Sequence, residues 1–234
     1  MEKAPLIVKT CIDSIIEKNP DCDVIIIDEN NYKRYTDIAP IILEKFRNNL
    51  ITVTHFSDIL RFNLLKRHGG LWLDSTIFIN NGIDKNVFDT PFFTLRFPKH
   101  GTDLFPAIWT IFIIGGHRNR MIFQYMDECY LRYWEEKDYQ YDYFLTDYML
   151  RAAYKNNIDG FRDFIDMQEL PFPGLHELYI HRFDVYSKQH FEEIVGNNTF
   201  NKLTYKEKFK KKSVAYTKKG KLTIYGHLVE KYLE

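Results

Sequence analysis

The sequence predicts an α/β fold with a largely parallel sheet. Apolar runs of strand length alternate with apolar stripes of helical spacing through the first two-thirds of the chain. Several strand-like runs, VIIID at 24–28 among them, are continuous rather than alternating, as strands buried on both faces are. The runs end in polar or glycine-bearing loops. At 234 residues and 45% hydrophobic content, the chain can build one sizeable core, and a single domain over 1–234 is expected.

The elements follow in order. Ile7, Val8, Cys11, Ile12, Ile15 and Ile16 recur at i, i+4 spacing and make one stripe of a helix that Asn19-Pro20 closes. VIIID should be a buried strand with Asp28 at its C-terminal edge. A helix near 38–48 and a short strand at 50–53 precede SDILRFNLLKRHGGLWLDST, residues 57–76. There a helix begins at Thr54 or Ser57 and runs to Arg67, with Asp58 in its first turn and Lys66 and Arg67 in its last, each complementing the dipole. Gly69 can take the left-handed conformation that ends a helix, and Gly70 permits a tight reversal into a strand, LWLDSTIFI. Alternation along that strand places Asp74 and Thr76 on one face.

Further strands are expected at 91–97 and 108–114, and aromatic-rich helices at about 119–136 and 141–155. PFPGLHELYIHRF should begin irregularly, and a short helix at 222–233 should close the chain. Lysine plus arginine and aspartate plus glutamate stand at 32 each, so no global field favours nucleic acid, and no recognised nucleic-acid module is present. The three cysteines, Cys11, Cys22 and Cys129, have no metal-ligand spacing and suit a reducing compartment. No signal peptide and no apolar run of about 20 residues is found, so a cytoplasmic protein is expected, with contact at the inner membrane face left open.

Between 202 and 221, nine lysines face one acid, Glu207. This is a solvated surface or a patch that docks on anionic headgroups near a lipid-linked acceptor. Asp58 and Arg61 share a helix face, and the glycine reversal should bring Asp74 beside them. A carboxylate in a strand interior needs a cationic partner, either Arg61 or a bound metal. A structural ion pair is the competing reading of these three residues, and core packing is the competing role for Trp72.

The ordered block Ser57, Asp58, Arg61, Leu65, Gly69, Gly70, Trp72 and Asp74 resembles the signature of family 32 glycosyltransferases and the related capsular polysaccharide synthesis proteins. DCDVIIIDENNYKRYTDIAP, YFLTDYML and NKLTYK also resemble the capsular proteins. The resemblance implies a GT-A nucleotide-sugar-binding fold and a retaining hexosyl transfer from a nucleotide-diphosphate sugar to a glycan or lipid-linked oligosaccharide acceptor. It implies donor contacts from Ser57, Asp58, Arg61, Gly70, Trp72, Asp74 and Thr76, with Asp58, Arg61 and Asp74 catalytic. A divalent cation, Mn²⁺ or Mg²⁺, would sit on Asp74 and Thr76 and neutralise the leaving diphosphate.

Here the family's D-x-D reads D-S-T, and a hydroxyl ligates a hard cation less strongly than a carboxylate. Another carboxylate, or His176 or His181, would then complete the ligand set. Relatives also carry an earlier strand that helps hold the base, and this chain starts at the helix after it. Asp147 matches a position on the acceptor side, although a capping or solvated acid is the simpler role. His117 follows Gly115-Gly116 at a strand's end, where loop placement suffices. A non-catalytic nucleotide-sugar or glycan-binding member of a synthesis complex is the second reading. A glycoside hydrolase would instead need two opposed acids, and Arg61 beside the carboxylates disfavours it.

Overall fold

The computed structural model describes residues 3–96, 108–168, 174–196, 198–206 and 214–233. In chain order it has α1 (Leu6–Lys18), α2 (Tyr32–Tyr35), α3 (Pro40–Arg47), α4 (Val53–His68), β1 (Gly70–Leu73), β2 (Ile77–Ile79), α5 (Asn86–Asp89), β3 (Phe92–Thr94) and β4 (Ile113–Gly116). α6 (Met121–Glu136), α7 (Leu145–Lys155), α8 (Phe161–Met167), α9 (Glu177–Ile180), α10 (Lys188–Val195), β5 (Phe200–Lys202) and α11 (Ile224–Val229) follow. The class is mixed α/β. Two compact units form, one from Met1–Ile25, Leu73–Asp84 and Phe172–Glu234, the other from Ile26–Trp72 and Lys85–Pro171.

The second unit is built on α4. Nine of its sixteen residues are buried, so it is a core helix rather than an amphipathic surface one. Its start is set by Thr52, whose side chain accepts the His55 amide. Its end is set by Gly69, at φ 68°, whose amide returns to Leu65 O. Phe62, Phe123, Met126, Tyr130 and Trp134 pack α4 on α6 in a single aromatic-rich core. Lys45 is buried, yet its ammonium donates to the carbonyls of Trp134 and Lys137 (2.7 Å for the latter) and pairs with Asp138 at 2.9 Å. It thereby satisfies the carbonyl end of α6. Asn63 donates to Asp37 at 2.8 Å and to Asp127 at 2.9 Å, and Lys66 pairs with both acids.

β1, β4 and β3 form a three-stranded sheet in that order, and β3 pairs with β4 antiparallel, Phe93 opposite Gly115. A Cβ on Gly115 would lie 2.5 Å from Gly70 O and 3.1 Å from Leu71 Cα. The glycine thus allows the β1 and β4 backbones to approach.

In the other unit, β2 pairs with β5 antiparallel, Ile77 opposite Lys202 and Ile79 opposite Phe200. The Ser14 hydroxyl of α1 accepts the Ile79 amide at 2.9 Å and donates to Cys11 O. Thr10 of α1 donates to Leu228 O of α11 at 2.8 Å. Cys11 is fully enclosed, and burial pushes its thiol pKa up, with the charge of Lys202 opposing.

Several expectations are corrected. Both pairings with a described register are antiparallel, not parallel. Periodicity identifies a strand but not its direction, and β3 and β4 are consecutive strands with no described helix between them. Residues 24–28 form no strand, and Val24 and Ile25 are exposed. The segment 50–53 is the entry to α4. The expected strand LWLDSTIFI breaks into β1 and β2 around a turn at 74–76, where the Ile77 amide donates to Asp74 O at 2.9 Å. Aspartate, serine and threonine favour turns because their side chains compete for backbone hydrogen bonds. Phe97, PFP at 171–173, and the lysines at 208 and 210–212 lie outside the described residues. Among the described residues, no helix is long and apolar enough to cross a membrane.

Candidate functional site

In the unit built on α4, one helical turn separates Asp58 from Arg61, and Arg61 Nη1 donates to Asp58 Oδ1 at 2.8 Å. The other carboxylate oxygen, Oδ2, accepts the Thr146 hydroxyl from the first turn of α7 at 3.0 Å. Because that hydroxyl has one proton, Tyr130 OH must be the donor in its 2.9 Å bond to Thr146 Oγ1. All four groups are buried, Asp58 at 7% exposure and Tyr130 at 0%. A carboxylate so enclosed is tolerated because each oxygen has a donor and one donor is charged.

Arg61 also lies over the half-buried Trp72 ring, 5.1 Å from its centroid. The guanidinium is thus held from two sides, by charge and by an aromatic face. His55 is one turn before Asp58. Its Nε2 accepts Trp134 Nε1 at 3.3 Å and its Nδ1 lies 4.0 Å from Asp58 Oδ2. Burial lowers its pKa to about 4, so the ring is neutral at pH 7 and places no second cation beside Asp58.

Asp147 follows Thr146 but makes a different contact. Trp109 Nε1 donates to its Oδ1 at 3.1 Å. Burial raises its pKa to about 6, and the charge of Asp58 adds to the rise while Trp109 and Arg61 oppose it. Ser57 is half-buried on α4, and Gly70, at φ 87°, is exposed where β1 opens.

In the other unit, Asp74 and Thr76 converge, through the turn and not through strand alternation. Both side chains meet Lys202 Nζ, Asp74 Oδ2 at 3.1 Å and Thr76 Oγ1 at 2.8 Å. Lys202 is carried there by β5, whose residue 202 lies opposite Ile77. Two oxygen donors converging on one cationic position fit a hard divalent ion in donor type and number, since Mg²⁺ takes one or two protein oxygens and completes its shell with phosphate and water. The ammonium already compensates the same oxygens, however, so the ion would compete with Lys202.

Of the two histidines considered as further ligands, His176 feels the Lys202 charge: partial burial, then that charge, lower its pKa. His181 is engaged elsewhere, 2.8 Å from Asp184. His117, after Gly116 in the unit built on α4, donates its backbone amide to Pro91 O at 3.2 Å.

Residue patterns alone do not single out Thr146, Tyr130, His55, Trp134, Trp109 or Lys202 as members of these clusters. Two of them stood in quoted stretches, Thr146 in YFLTDYML and Lys202 in NKLTYK. Only the tertiary pairing shows that the threonine, not its neighbour Asp147, bonds Asp58.

The model of one protein family, described as capsular polysaccharide synthesis protein, matches residues 1–222. No curated protein matches the chain.

Proposed function

The chain belongs to the capsular polysaccharide synthesis protein family, and from that premise we propose that it is a retaining, family 32-type glycosyltransferase with a GT-A-like nucleotide-sugar-binding fold. It moves a hexose from a nucleotide-diphosphate sugar to a hydroxyl of a glycan or lipid-linked oligosaccharide acceptor. The observation that carries the reading is the buried Asp58, held by one donor at each oxygen, next to an Arg61 that lies over the Trp72 ring. A carboxylate and a guanidinium immobilised in this way are pre-organised to bind sugar and ribose hydroxyls, with no side-chain ordering left to oppose binding.

The roles follow from the chemistry of each group. Asp58 accepts hydroxyl hydrogens, Arg61 donates to hydroxyl or phosphate oxygens, and Trp72 offers a flat face for a ring. Ser57 and Gly70 flank the donor. Asp74 and Thr76 would hold Mn²⁺ or Mg²⁺, which when bound would neutralise negative charge on the diphosphate. Asp147, with a pKa near 6, suits the acceptor side, where a carboxyl near neutrality can take or return a hydroxyl proton. In retaining transfer the departing phosphate can itself receive the acceptor proton. The exposed Lys218, Lys219 and Lys221 suit docking on anionic headgroups, where a lipid-linked acceptor resides.

A second reading has one specific observation in its favour. Lys202 already satisfies Asp74 and Thr76, as a nucleotide-sugar-binding member without turnover would allow. Release of nucleoside diphosphate from UDP-, GDP- and ADP-sugars, with a soluble glycan acceptor, separates the two. Transfer by the wild-type chain that falls at least 100-fold in Asp58→Asn supports the enzyme. Donor binding without release in the wild type supports the binding member.

A further inference from the structure

We propose that His181, Asp184 and His190 form a transition-metal site, of the class that takes Zn²⁺, which staples α9 to α10. This proposal is independent of the glycosyltransferase reading, and none of its residues lies in the clusters described above. One ligand atom from each of the three lies within 4.8 Å of the other two. Asp184 Oδ2 is 2.8 Å from His181 Nδ1 and 3.2 Å from His190 Nε2. Tetrahedral bonds of about 2.0–2.1 Å place neighbouring donors about 3.3 Å apart. The two imidazole–carboxylate spacings are therefore reached with shifts of a few tenths of an ångström, and the two imidazole nitrogens, within 4.8 Å of each other, close on the ion by rotation of side chains that are partly exposed.

The surroundings carry the argument further. A histidine that ligates a metal through one nitrogen donates the proton on its other nitrogen, commonly to a carboxylate. Here His181 Nε2 faces Glu177 at 3.6 Å, and His190 Nδ1 faces Glu193 at 3.9 Å. Each imidazole thus has a carboxylate on the side away from the shared Asp184 oxygen. When a metal takes His181 Nδ1 and His190 Nε2, the tautomeric protons move to the nitrogens that those glutamates face. An ordinary surface ion pair has no need of that arrangement on both rings.

The backbone that presents the three ligands is tied down. The Asp184 amide donates to His181 O at 2.9 Å, and Asp184 O accepts the Ile224 amide at 3.0 Å. Ser187 caps α10 by accepting the His190 amide. The two imidazoles and the carboxylate are 37–46% exposed, so an ion can enter and a water can take the fourth position. Two imidazoles and one carboxylate favour zinc, cobalt or nickel over the oxygen-preferring magnesium and calcium.

The test uses the full chain without a histidine tag, carrying Asp74→Asn so that the D-S-T oxygens do not contribute. After chelator stripping, Co²⁺ is titrated while visible d–d absorption is recorded, and Zn²⁺ is then added. One equivalent of Co²⁺ bound in the micromolar range, displaced by Zn²⁺ and weakened at least tenfold by His190→Ala and by His181→Ala, is the expected result. Circular dichroism of both variants establishes that they remain folded, and Zn²⁺ should raise the Tm of the parent and not of the variants. Binding only in the millimolar range, or binding unchanged in both histidine variants, overturns the proposal.

Discussion

Thr146 donates its hydroxyl to Asp58 Oδ2 over 3.0 Å, joining α7 to α4 across 88 residues of sequence. This bond, with the Tyr130 hydroxyl behind it, fixes the direction in which the Asp58 carboxylate faces. Thr146→Val keeps the shape but leaves Asp58 one donor short and Tyr130 OH without its acceptor. With two buried groups left short, the expected cost is about 2–3 kcal/mol of stability, read from urea unfolding. Tyr130→Phe removes only the outer bond and should cost about 1 kcal/mol. Equal costs for the two would contradict the order of donors inferred here.

The half-buried Asp147 and the buried His55 should leave opposite marks on the pH dependence of stability. Asp147 titrates near 6 in the folded protein against an ordinary 3.8. Between these values the folded state keeps a proton that the unfolded chain has lost. This group therefore weakens the fold as pH rises from about 4 to 6, by up to about 3 kcal/mol. His55 titrates near 4 against an ordinary 6.5, so the unfolded chain gains a proton that the folded one refuses. Its contribution is lost as pH falls through the same window, and the two effects partly cancel in the wild type. Asp147→Asn removes the first alone. Its Tm relative to wild type should climb between pH 4 and pH 7, and parallel Tm profiles would contradict the raised pKa of Asp147.

Lys202 bonds the two side chains that a divalent cation would use. Lys202→Met removes the competing ammonium while keeping the length of the stem. The Tm gained on adding Mn²⁺ should then be larger in the variant than in the wild type, because binding to the folded state stabilises it by mass action. An unchanged or smaller gain would mean that Asp74 and Thr76 do not hold the ion.

Much of this organisation was legible in the residues, and what was not has physical causes. α1, α4 and α6 are readable because a helix carries its own periodicity and its own end signals: Lys66, Arg67 and Gly69 sit where a helix stop uses them, whereas the cap Thr52 falls in the run expected as a strand, so the start is expected at Thr54 or Ser57 rather than at Val53. Strands need a partner that local sequence does not specify. The apolar run at 24–28 is therefore no strand, and β3 and β4 pair antiparallel. The turn at 74–76 has a local signal, since D-S-T is turn chemistry, but the apolar alternation on either side of it is equally that of one continuous strand. The Asp58–Arg61 pair was legible from i, i+3 spacing. Its bond to Thr146 was not, because a buried hydroxyl takes its partner from tertiary packing alone. Lys202 belongs to the same class, since only the β2–β5 register brings it to Asp74.

Donor binding by the wild-type chain and by Asp74→Asn decides whether the D-S-T segment serves a nucleotide-sugar donor. Thermal shift would be recorded with UDP-, GDP-, ADP- and CMP-sugars, each with and without Mn²⁺. The expected result is a Tm increase with one nucleotide class that depends on Mn²⁺ and disappears in Asp74→Asn. A donor-induced shift of equal size in both proteins, with or without the cation, would contradict it.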